Sequence, residues 1–432
     1  MKRYEIIDNE GYYHGLSLTS LAKKYGTPLK ITFLDVITEH VAELKNSFNE
    51  AINEIGYRGK FIYLNANKAN YGRLEIEAAM TAADGLETSS YYDLLLSMRL
   101  LKKQKMMDKY LVSNGYKPDD YLGAIKEAHL QGYKIIDIID SVDEYERLKA
   151  MNLPIEIGLR MHMQSMYAPD GVVENDRFGL MEDEFYYIID DLKNSKLVLT
   201  TIHFHQRGFD YDEAPFLANL EKAFVKYYVK AYQQISTVAN FNMGGGTPLP
   251  LVGDFDYVAW AKLTLNKLME LSKEHKVAMP NLFSENGKFS QKDSTVNVYK
   301  VITKKHTADH PWYIVDSSLL IALPEMYALG EPIMVTPINE LDKPLIKGKL
   351  AGVTCDCDDV FPMHEEVMDL PDTENELYIG LIGTGSYQNS MNGKGGIHHC
   401  LLPEEIDLVV KGKKMMIRKP LQSFQTILKI MK

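Results

Sequence analysis

The feature that most constrains the fold is a regular alternation of two kinds of segment over the first two thirds of the chain. Short runs rich in β-branched residues are followed by longer stretches whose apolar residues recur at i, i+3, i+4 and i+7, the spacing of one helix face. The eight short runs lie at residues 60–67, 85–90, 110–115, 134–140, 155–161, 199–205, 241–246 and 281–287. Eight strand–helix units are the number that closes a (β/α)8 barrel, which is the fold we predict. An open, doubly wound α/β sheet is the alternative, because alternation does not fix closure.

A second domain is indicated by a change of rhythm near residue 290. Beyond it, strand-like segments such as 294–305 are joined by turns instead of helices. We therefore predict a barrel over residues 36–290 and a mostly β domain over residues 291–432. The N-terminal segment 1–35 ends in the strand-like run PLKITFLD, and we expect it to join the β domain.

The charge balance and the cysteine count exclude several classes of protein. The 432-residue chain has a formal net charge of −11, which argues against nucleic acid or an anionic membrane as the main partner. Three cysteines do not make a disulfide framework, and they indicate a reducing compartment. The first residues contain no apolar leader, and no apolar run is long enough to span a bilayer. We therefore expect a cytoplasmic protein that binds neither nucleic acid nor membrane.

Polar side chains cluster where the predicted barrel strands end. They are Asn67 and Lys68, Ser89 and Ser90, Asn114, His205, the glycines at 244–246, and Glu285. In (β/α)8 barrels the carboxyl ends of the strands carry the active site. The sequence therefore places the candidate active site at this end of the barrel.

Lys68 follows the first predicted barrel strand, within the stretch NANKAN. Partial burial lowers the pKa of a lysine, and an amine of this kind at the barrel mouth is suited to forming a Schiff base. For a single lysine, an ordinary exposed side chain at a strand end is the simpler interpretation.

Two glycine-containing turns follow the last two predicted barrel strands. Gly244, Gly245 and Gly246 come after the seventh strand, and Gly287 and Lys288 come after the eighth. Glycines let backbone N–H groups approach and bind an anion, usually phosphate, and barrels often bind phosphate at this place. A tight strand-to-helix turn is the alternative, since neither stretch is a GxGxxG or Walker sequence.

His203 and His205 are two residues apart on a predicted strand and therefore share a face. A pair of this kind binds metal in barrel hydrolases, but such sites need further histidine and carboxylate ligands at other strand ends. The other predicted strand ends offer Lys68, Asn114 and Glu285 but no second histidine. We therefore expect no metal, and favour a ring-stacking or core role for each histidine.

The β domain contains the run Cys355-Asp356-Cys357-Asp358-Asp359. A single Cys-x-Cys is poor spacing for zinc. An acidic, solvated turn is one interpretation. The other is a thiol that donates a proton, beside carboxylates that bind a cationic substrate.

Taken in order, these stretches resemble the fold type III amino-acid decarboxylases, which use pyridoxal 5'-phosphate (PLP), and within them most closely biosynthetic arginine decarboxylase. The resemblance is carried by NKAN around Lys68, GLETSS (85–90), SNGYK (113–117), RFGL (177–180), IHFH (202–205), GGG (244–246), SENGK (284–288), TCDCDD (354–359) and GSYQ (385–388). It implies a (β/α)8 barrel followed by a β domain, as in alanine racemase, and a homodimer with shared active sites.

The resemblance also implies a role for each matching residue. Lys68 would bind PLP as a Schiff base, His205 would stack on its ring, and Glu285 would pair with the ring nitrogen. The phosphate would be held by Gly244, Gly245, Gly246, Asn286, Gly287, Lys288 and Tyr387. From the partner chain, Cys355 would donate a proton, and Asp356, with Asp359 nearby, would meet the cationic end of the substrate.

The implied reaction is decarboxylation of a basic L-amino acid, with arginine to agmatine, a step of polyamine biosynthesis, favoured. Ornithine, lysine and diaminopimelate are alternatives. Diaminopimelate is disfavoured, because its decarboxylases would carry glutamate at the position of Asp356 and an arginine after Tyr387.

This chain departs from the family pattern in three ways. Gln206-Arg207-Gly208 follows His205 where the family has a phosphate-binding serine, so Arg207 is a candidate substitute. Lys288 replaces an arginine, which exchanges a bidentate group for a point charge. The chain is also shorter than biosynthetic arginine decarboxylases. These departures motivate an alternative of another class, a non-catalytic homologue that acts by binding a partner.

Overall fold

A computed structural model describes residues 4–163, 177–205, 213–251, 253–392 and 398–431. The strands are β1 (Tyr4–Ile7), β2 (Glu10–Tyr13), β3 (Leu16–Ser17), β4 (Leu29–Phe33), β5 (Phe61–Ala66), β6 (Gly85–Thr88), β7 (Tyr110–Ser113), β8 (Lys134–Ile139), β9 (Glu156–Arg160), β10 (Val198–His203), β11 (Asn240–Asn242), β12 (Asn281–Asn286), β13 (Thr295–His306), β14 (Pro311–Val315), β15 (Met334–Pro337), β16 (Leu345–Ala351), β17 (Val360–Phe361), β18 (Met368–Pro371), β19 (Tyr378–Ile382), β20 (Ile406–Lys411) and β21 (Lys414–Lys419).

The helices are α1 (Leu18–Tyr25), α2 (Leu34–Ile55), α3 (Arg73–Ala82), α4 (Tyr91–Gln104), α5 (Asp119–Leu130), α6 (Val142–Ala150), α7 (Glu182–Asp191), α8 (Glu213–Ala223), α9 (Val229–Gln234), α10 (Tyr257–His275), α11 (Lys288–Gln291), α12 (Leu319–Ala322), α13 (Pro324–Leu329), α14 (Gln388–Asn392) and α15 (Phe424–Ile430). None of these helices combines the length and the apolar character needed to cross a bilayer.

The chain divides into two compact units. One comprises Thr38–Pro250 with Phe255–Ser290, and the other comprises Met1–Ile37 with Leu251–Asp254 and Gln291–Lys432. The first contains β5 to β12, and the second contains all the remaining strands.

The first unit is a closed barrel of parallel strands in the order β10-β11-β12-β5-β6-β7-β8-β9. Each strand is followed by a helix, from α3 after β5 to α11 after β12. This confirms the predicted (β/α)8 barrel, and the doubly wound alternative is wrong. Because the strands are parallel, their carboxyl ends lie at the same end of the barrel.

Local sequence signals set where several barrel elements begin and end. Ser90 and Ser141 precede α4 and α6, and each accepts a hydrogen bond from a backbone N–H in the first helical turn. Capping of this kind typically contributes about 1 kcal/mol. The strand predicted over 241–246 ends at Asn242, because Gly244 and Gly246 have φ of 69° and 98°, which a strand does not allow.

The second unit is built on a ten-stranded sheet whose main path is β17-β16-β14-β13-β4-β20-β21. Strand β4, which includes most of the run PLKITFLD, pairs antiparallel with β13 and parallel with β20. Buried Ile31, Val298 and Leu408, from these three strands, belong to one apolar core. Strand β4 is therefore a central member of this sheet, and its apolar residues explain the placement.

Candidate active site

Lys68 lies on a short 3₁₀ turn, Asn67–Ala69, directly after β5. Its side chain is exposed, while its neighbours in the turn are buried. The side-chain nitrogen of Asn67 donates to Asp93 Oδ1 and Ser97 Oγ, both at 2.9 Å. Burial raises the pKa of Asp93 to about 7. This buried network fixes the backbone at Lys68 and leaves its amine at the barrel mouth.

Glu285, near the end of β12, is the centre of a second network. Its Oε2 accepts a hydrogen bond from Asn114 Nδ2 at 2.9 Å, and its Oε1 accepts one from Asn242 Nδ2 at 2.7 Å. His203 Nε2 lies 3.7 Å from Oε2. Glu285 is only 7% exposed, so two amide donors supply the hydrogen bonds that water would otherwise give. The carboxylate is fixed in one orientation.

Glu87, on β6, is a second buried carboxyl group in this network. The same nitrogen of Asn114 donates to Glu87 Oε1 at 3.0 Å. Among the described residues, Glu87 Oε2 has no hydrogen-bond partner. Burial raises the pKa of Glu87, the charge of Glu285 adds to this effect, and Lys68 opposes it. The two carboxyl groups therefore differ in their hydrogen bonding, because both oxygens of Glu285 accept a hydrogen bond and only one oxygen of Glu87 does.

His203, at the end of β10, and His205, two residues beyond it, are both uncharged near neutral pH. Burial lowers the pKa of His203 well below its usual value, and the positive charges of Arg160 and Lys68 add to this effect. The pKa of His205 is lowered by burial and then by the same two cations. In the part of the chain that the structure describes, neither ring nitrogen of His203 has a hydrogen-bond partner. A neutral His205 ring is suited to stacking.

The turn after β11 approaches His205 too closely for any residue but glycine. The backbone N–H of Gly245 donates to His205 Nδ1 at 3.2 Å. A Cβ added at Gly244 would lie 2.4 Å from the same nitrogen, and one at Gly245 would lie 2.5 Å from the carbonyl oxygen of Glu285. The glycines therefore leave open backbone beside the histidine ring.

The turn after β12 is tied to this glycine turn by side chains. Asn286 Oδ1 accepts a hydrogen bond from Thr247 Oγ1 at 2.7 Å, and its Nδ2 donates to Ser284 Oγ at 2.9 Å. A Cβ added at Gly287 would lie 2.7 Å from the carbonyl oxygen of Ala66, at the end of β5. Lys288 follows as the first residue of α11. Open backbone and a cation therefore stand at neighbouring strand ends, as an anion site requires.

The remaining predicted site residues belong to the second unit. Tyr387 is half-buried, has φ of 60° and precedes α14. Cys355 is exposed, and Asp356 is half-buried, with its Oδ2 3.1 Å from His399 Nε2. Arg207, the candidate substitute for the missing serine, lies outside the described residues.

The structure gives Asp359 a role other than the substrate contact expected from the sequence. It is 1% exposed, and its Oδ1 accepts hydrogen bonds from the backbone N–H groups of Leu319 and Leu320 at 2.7 and 3.0 Å. Its Oδ2 accepts one from Thr354 Oγ1 at 2.6 Å. Both oxygens therefore hold the loop and the start of α12, and we do not assign Asp359 to a substrate site.

The prediction from sequence missed the roles of Glu87 and Asn242, and it named Asn114 without a function. All three lie at the carboxyl ends of barrel strands, and that position was the signal that could have found them. Among the described residues, one group of three or more His, Cys, Asp or Glu side chains brings its ligand atoms close enough to hold a metal ion, namely Asp356, Cys357 and Asp358. His203 and His205 do not belong to this group.

A closed parallel barrel, a lysine after its first strand, a buried glutamate near the end of its last strand and a glycine-rich turn between the last two strands are the features that the resemblance to the fold type III decarboxylases predicts. The chain is similar in sequence and in fold to amino-acid decarboxylases. No model of a known protein family matches it.

The relatives in sequence are biosynthetic arginine decarboxylases. That of one strain of Prochlorococcus marinus is 25% identical over 317 residues, which are 67% of this chain and 48% of that protein. That of one strain of Vibrio vulnificus is 22% identical over 319 residues, 67% of this chain and 49% of that protein. The chain thus spans about half the length of these relatives.

Solved structures share the fold over nearly the whole chain. Biosynthetic arginine decarboxylase from Campylobacter jejuni has a TM-score of 0.86 at 17% identity, over 100% of this chain and 89% of that one. Diaminopimelate decarboxylase from M. jannaschii, in complex with L-lysine, has a TM-score of 0.82 at 19% identity, over 98% and 96%. Lysine/ornithine decarboxylase from Vibrio vulnificus, complexed with putrescine, has a TM-score of 0.69 at 16% identity, over 86% and 92%.

Proposed function

We propose that this protein is a PLP-dependent decarboxylase of a basic L-amino acid, with arginine as the favoured substrate. The observation that carries the proposal is Glu285, a buried carboxylate fixed by Asn114 and Asn242 beside the turn that presents Lys68. The similarity to arginine decarboxylases favours arginine, and ornithine, lysine and diaminopimelate are the competing substrates.

The residues at the barrel mouth fit PLP. Lys68 would hold the cofactor covalently through its amine, and the neutral ring of His205 would lie against the pyridine. The open backbone at Gly244, Gly245, Gly246 and Gly287, together with Asn286 and Lys288, would bind the phosphate, and a phosphate role for Tyr387 stays a prediction of the resemblance. This fit is supported by the short distances that any Cβ at Gly244, Gly245 or Gly287 would make.

These contacts indicate what the protein's own residues would do in the reaction. Glu285, held in one orientation by two amide donors, would keep a proton on the pyridine nitrogen. PLP, when bound, supplies the electron sink that makes loss of CO₂ from an amino acid feasible. The protein would orient the scissile bond.

We propose that a second copy of the chain completes the site. Cys355 would return a proton to the substrate carbon, and Asp356 would bind the distal cation. The raised pKa of the Cys355 thiol, caused by its hydrogen bond with the Cys400 sulfur and by the charge of that sulfur, supports a proton donor, because it keeps the thiol protonated. The 3.1 Å contact of Asp356 Oδ2 with His399 Nε2 supports a carboxylate that is oriented to accept N–H donors.

A spectrum of the purified protein with PLP tests the proposal. We expect the visible absorption band of a lysine-bound cofactor, lost in Lys68→Ala and kept in Lys60→Ala. Lys60 is a matched control, because it is exposed and precedes the same strand at its opposite end. Absence of the band in the wild type would contradict the proposal and favour a non-catalytic homologue.

Amine release then identifies the substrate, measured with arginine, ornithine, lysine and diaminopimelate. We expect turnover of arginine to be fastest. Cys355→Ala should bind PLP normally and lose about 10²- to 10⁴-fold in kcat, the usual cost of removing a positioned proton donor. Cys357→Ala, at another exposed cysteine of the same loop, should be unaffected.

Mixing two inactive variants tests the shared site. Lys68→Ala and Cys355→Ala subunits should together recover part of the activity, because a mixed dimer contains one site with both residues intact. Failure of the mixture to recover any activity would count against a site shared between subunits.

A further inference from the structure

Cys355 and Cys400 form a close pair of thiols in the second unit. Their sulfur atoms are 3.7 Å apart, and both residues are exposed. They are 45 positions apart in the sequence, Cys355 in the loop after β16 and Cys400 in the 3₁₀ turn His399–Leu401. Cys357, also exposed, has its sulfur 3.9 Å from Asp358 Oδ1.

The contact between the two segments is held by a second, adjacent pair of residues. Asp356 follows Cys355, His399 precedes Cys400, and the carboxylate and imidazole of this neighbouring pair are 3.1 Å apart. Two consecutive residues of one segment therefore contact two consecutive residues of the other. The backbone positions of both segments, and not one side-chain rotamer alone, bring the thiols together.

The loop that carries Cys355 is anchored at its base. Buried Asp359 binds Thr354 Oγ1 and the start of α12, and the backbone N–H of Gly352 donates to the Asp359 carbonyl oxygen at 2.8 Å. A Cβ added at Gly352 would lie 2.0 Å from Asp359 Oδ2, so the loop closes tightly at this point. Cys355 is thus an exposed thiol on a loop whose ends are held in place by hydrogen bonds.

We propose that Cys355 and Cys400 are a site of reversible oxidation, at which a peroxide converts the two thiols into a disulfide. The Cys400 thiolate attacks the peroxide O–O bond and becomes a sulfenic acid, with release of water or an alcohol after protonation. The second thiol then displaces the sulfenic hydroxyl as water and forms the S–S bond. The two sulfurs lose two electrons, the peroxide gains them, and a cellular thiol reverses the reaction.

This modification would switch off the enzyme, a consequence that rests on the proposed function. A sulfur in a disulfide has no proton to give, so Cys355 could not act as a proton donor. The hydrogen bond and the charge of Cys400 that raise the pKa of Cys355 support direct interaction of the two sulfurs in the reduced state. The short separation means that a modest rotation of the side chains brings the sulfurs into bonding distance.

The experiment treats the purified full chain with hydrogen peroxide, digests it under non-reducing conditions and measures peptide masses. We expect a peptide containing Cys355 linked to one containing Cys400, lost after dithiothreitol. In parallel, arginine decarboxylation should fall about 10²-fold, the low end for loss of a positioned proton donor, and return with dithiothreitol.

Two variants make the test specific. Cys400→Ser should form no cross-link, and whatever activity it has should resist the peroxide. Cys357→Ser should form the cross-link and lose activity as the wild type does. A cross-link through Cys357, a bond between two chains, or oxidation of Cys355 that dithiothreitol does not reverse would overturn the proposal. The mass measurement is independent of turnover, so an inactive but cross-linked protein would refute the proposed function and leave the oxidation site standing.

Discussion

Asn114 donates its side-chain amide to Glu285 across 2.9 Å, and this contact joins the strand ends of β7 and β12. The same nitrogen donates to Glu87, so one neutral amide holds two buried carboxyl groups. Burial and the charge of Glu285 raise the pKa of Glu87. Asn114 therefore fixes the position of Glu285 next to a carboxyl group, that of Glu87, which takes up a proton more readily than usual.

Asn114→Leu should weaken both the fold and the cofactor site, because it removes a donor from two buried carboxyl groups. Loss of hydrogen bonds to such groups costs about 1.5–3 kcal/mol, which urea unfolding would measure, and PLP affinity should fall with it. Asn240→Leu is a matched control. Asn240 is also buried, but its amide donates to a neutral hydroxyl, that of Thr201, at the other end of the barrel. Equal losses of PLP affinity in the two variants would refute this assignment.

Gly244→Ala should lower PLP affinity at least about tenfold. Its φ of 69° is strained for alanine, at a cost of about 1–3 kcal/mol, and the new methyl group would push the His205 ring away. Gly123→Ala on α5 is the control, because nothing lies within 4 Å of the added carbon. That substitution should leave PLP binding intact and stabilise the protein by about 0.4–1 kcal/mol. Titration with PLP, followed by thermal unfolding, measures both effects.

The barrel could be predicted from the sequence, because it follows from periodicity. Lys68, His205 and Glu285 are chemically distinctive residues at strand ends, which parallel pairing brings to one end. The partnership of Glu87 with Glu285 could not be predicted in this way. It depends on the order β12-β5-β6-β7 in the closed barrel, which places the last predicted strand beside the first.

Asp359 shows a second limit of sequence reasoning. The run Cys355-Asp356-Cys357-Asp358-Asp359 reads as a uniformly acidic turn, so each carboxylate looks equally available. In the structure, Asp359 alone of its three aspartates is buried, because the start of α12, 40 positions earlier, needs an acceptor for its N–H groups. Local sequence does not record this distant requirement.

Stability should fall as the pH drops below about 6.5, the ordinary pKa of histidine, because His203 is buried in its neutral form. A folded-state pKa below the unfolded value means that the unfolded chain binds more protons there. The contribution is therefore complete above pH 6.5 and decreases by up to about 1.4 kcal/mol per pH unit below it, until the folded pKa is reached. Denaturant unfolding at pH 7.5 and 5.5 measures the loss.

His203→Asn isolates this contribution, because asparagine does not titrate in this range. The variant should lose less stability than the wild type between the two pH values. His306→Asn, at an exposed histidine of β13, is the control and should behave as the wild type. If His203→Asn has the same pH slope as the wild type, another group carries the effect.

Lys117 is fully buried in the barrel unit and should be among its most sensitive positions. Its Nζ lies 2.8 Å from Glu144 Oε1 and 3.3 Å from Asp137 Oδ1, and it donates to the carbonyl oxygen of Ile138 at 2.7 Å. Burial opposes the charge of Lys117, but the two carboxylates outweigh it, so the pKa of this lysine is raised. Burial raises the pKa of Glu144, and the charge of Lys117 opposes this effect.

Lys117→Met should cost about 3–5 kcal/mol, since it leaves buried carboxylates without their cation. Lys347→Met is the control: Lys347 pairs with Asp369 at 2.9 Å, but both side chains are more than half exposed, so the loss should stay below about 1 kcal/mol. Without the lysine, Asp137 and Glu144 bind protons more tightly in the folded than in the unfolded chain. The deficit of Lys117→Met should therefore shrink as the pH falls from 8 to 5, and urea unfolding across this range would show whether it does.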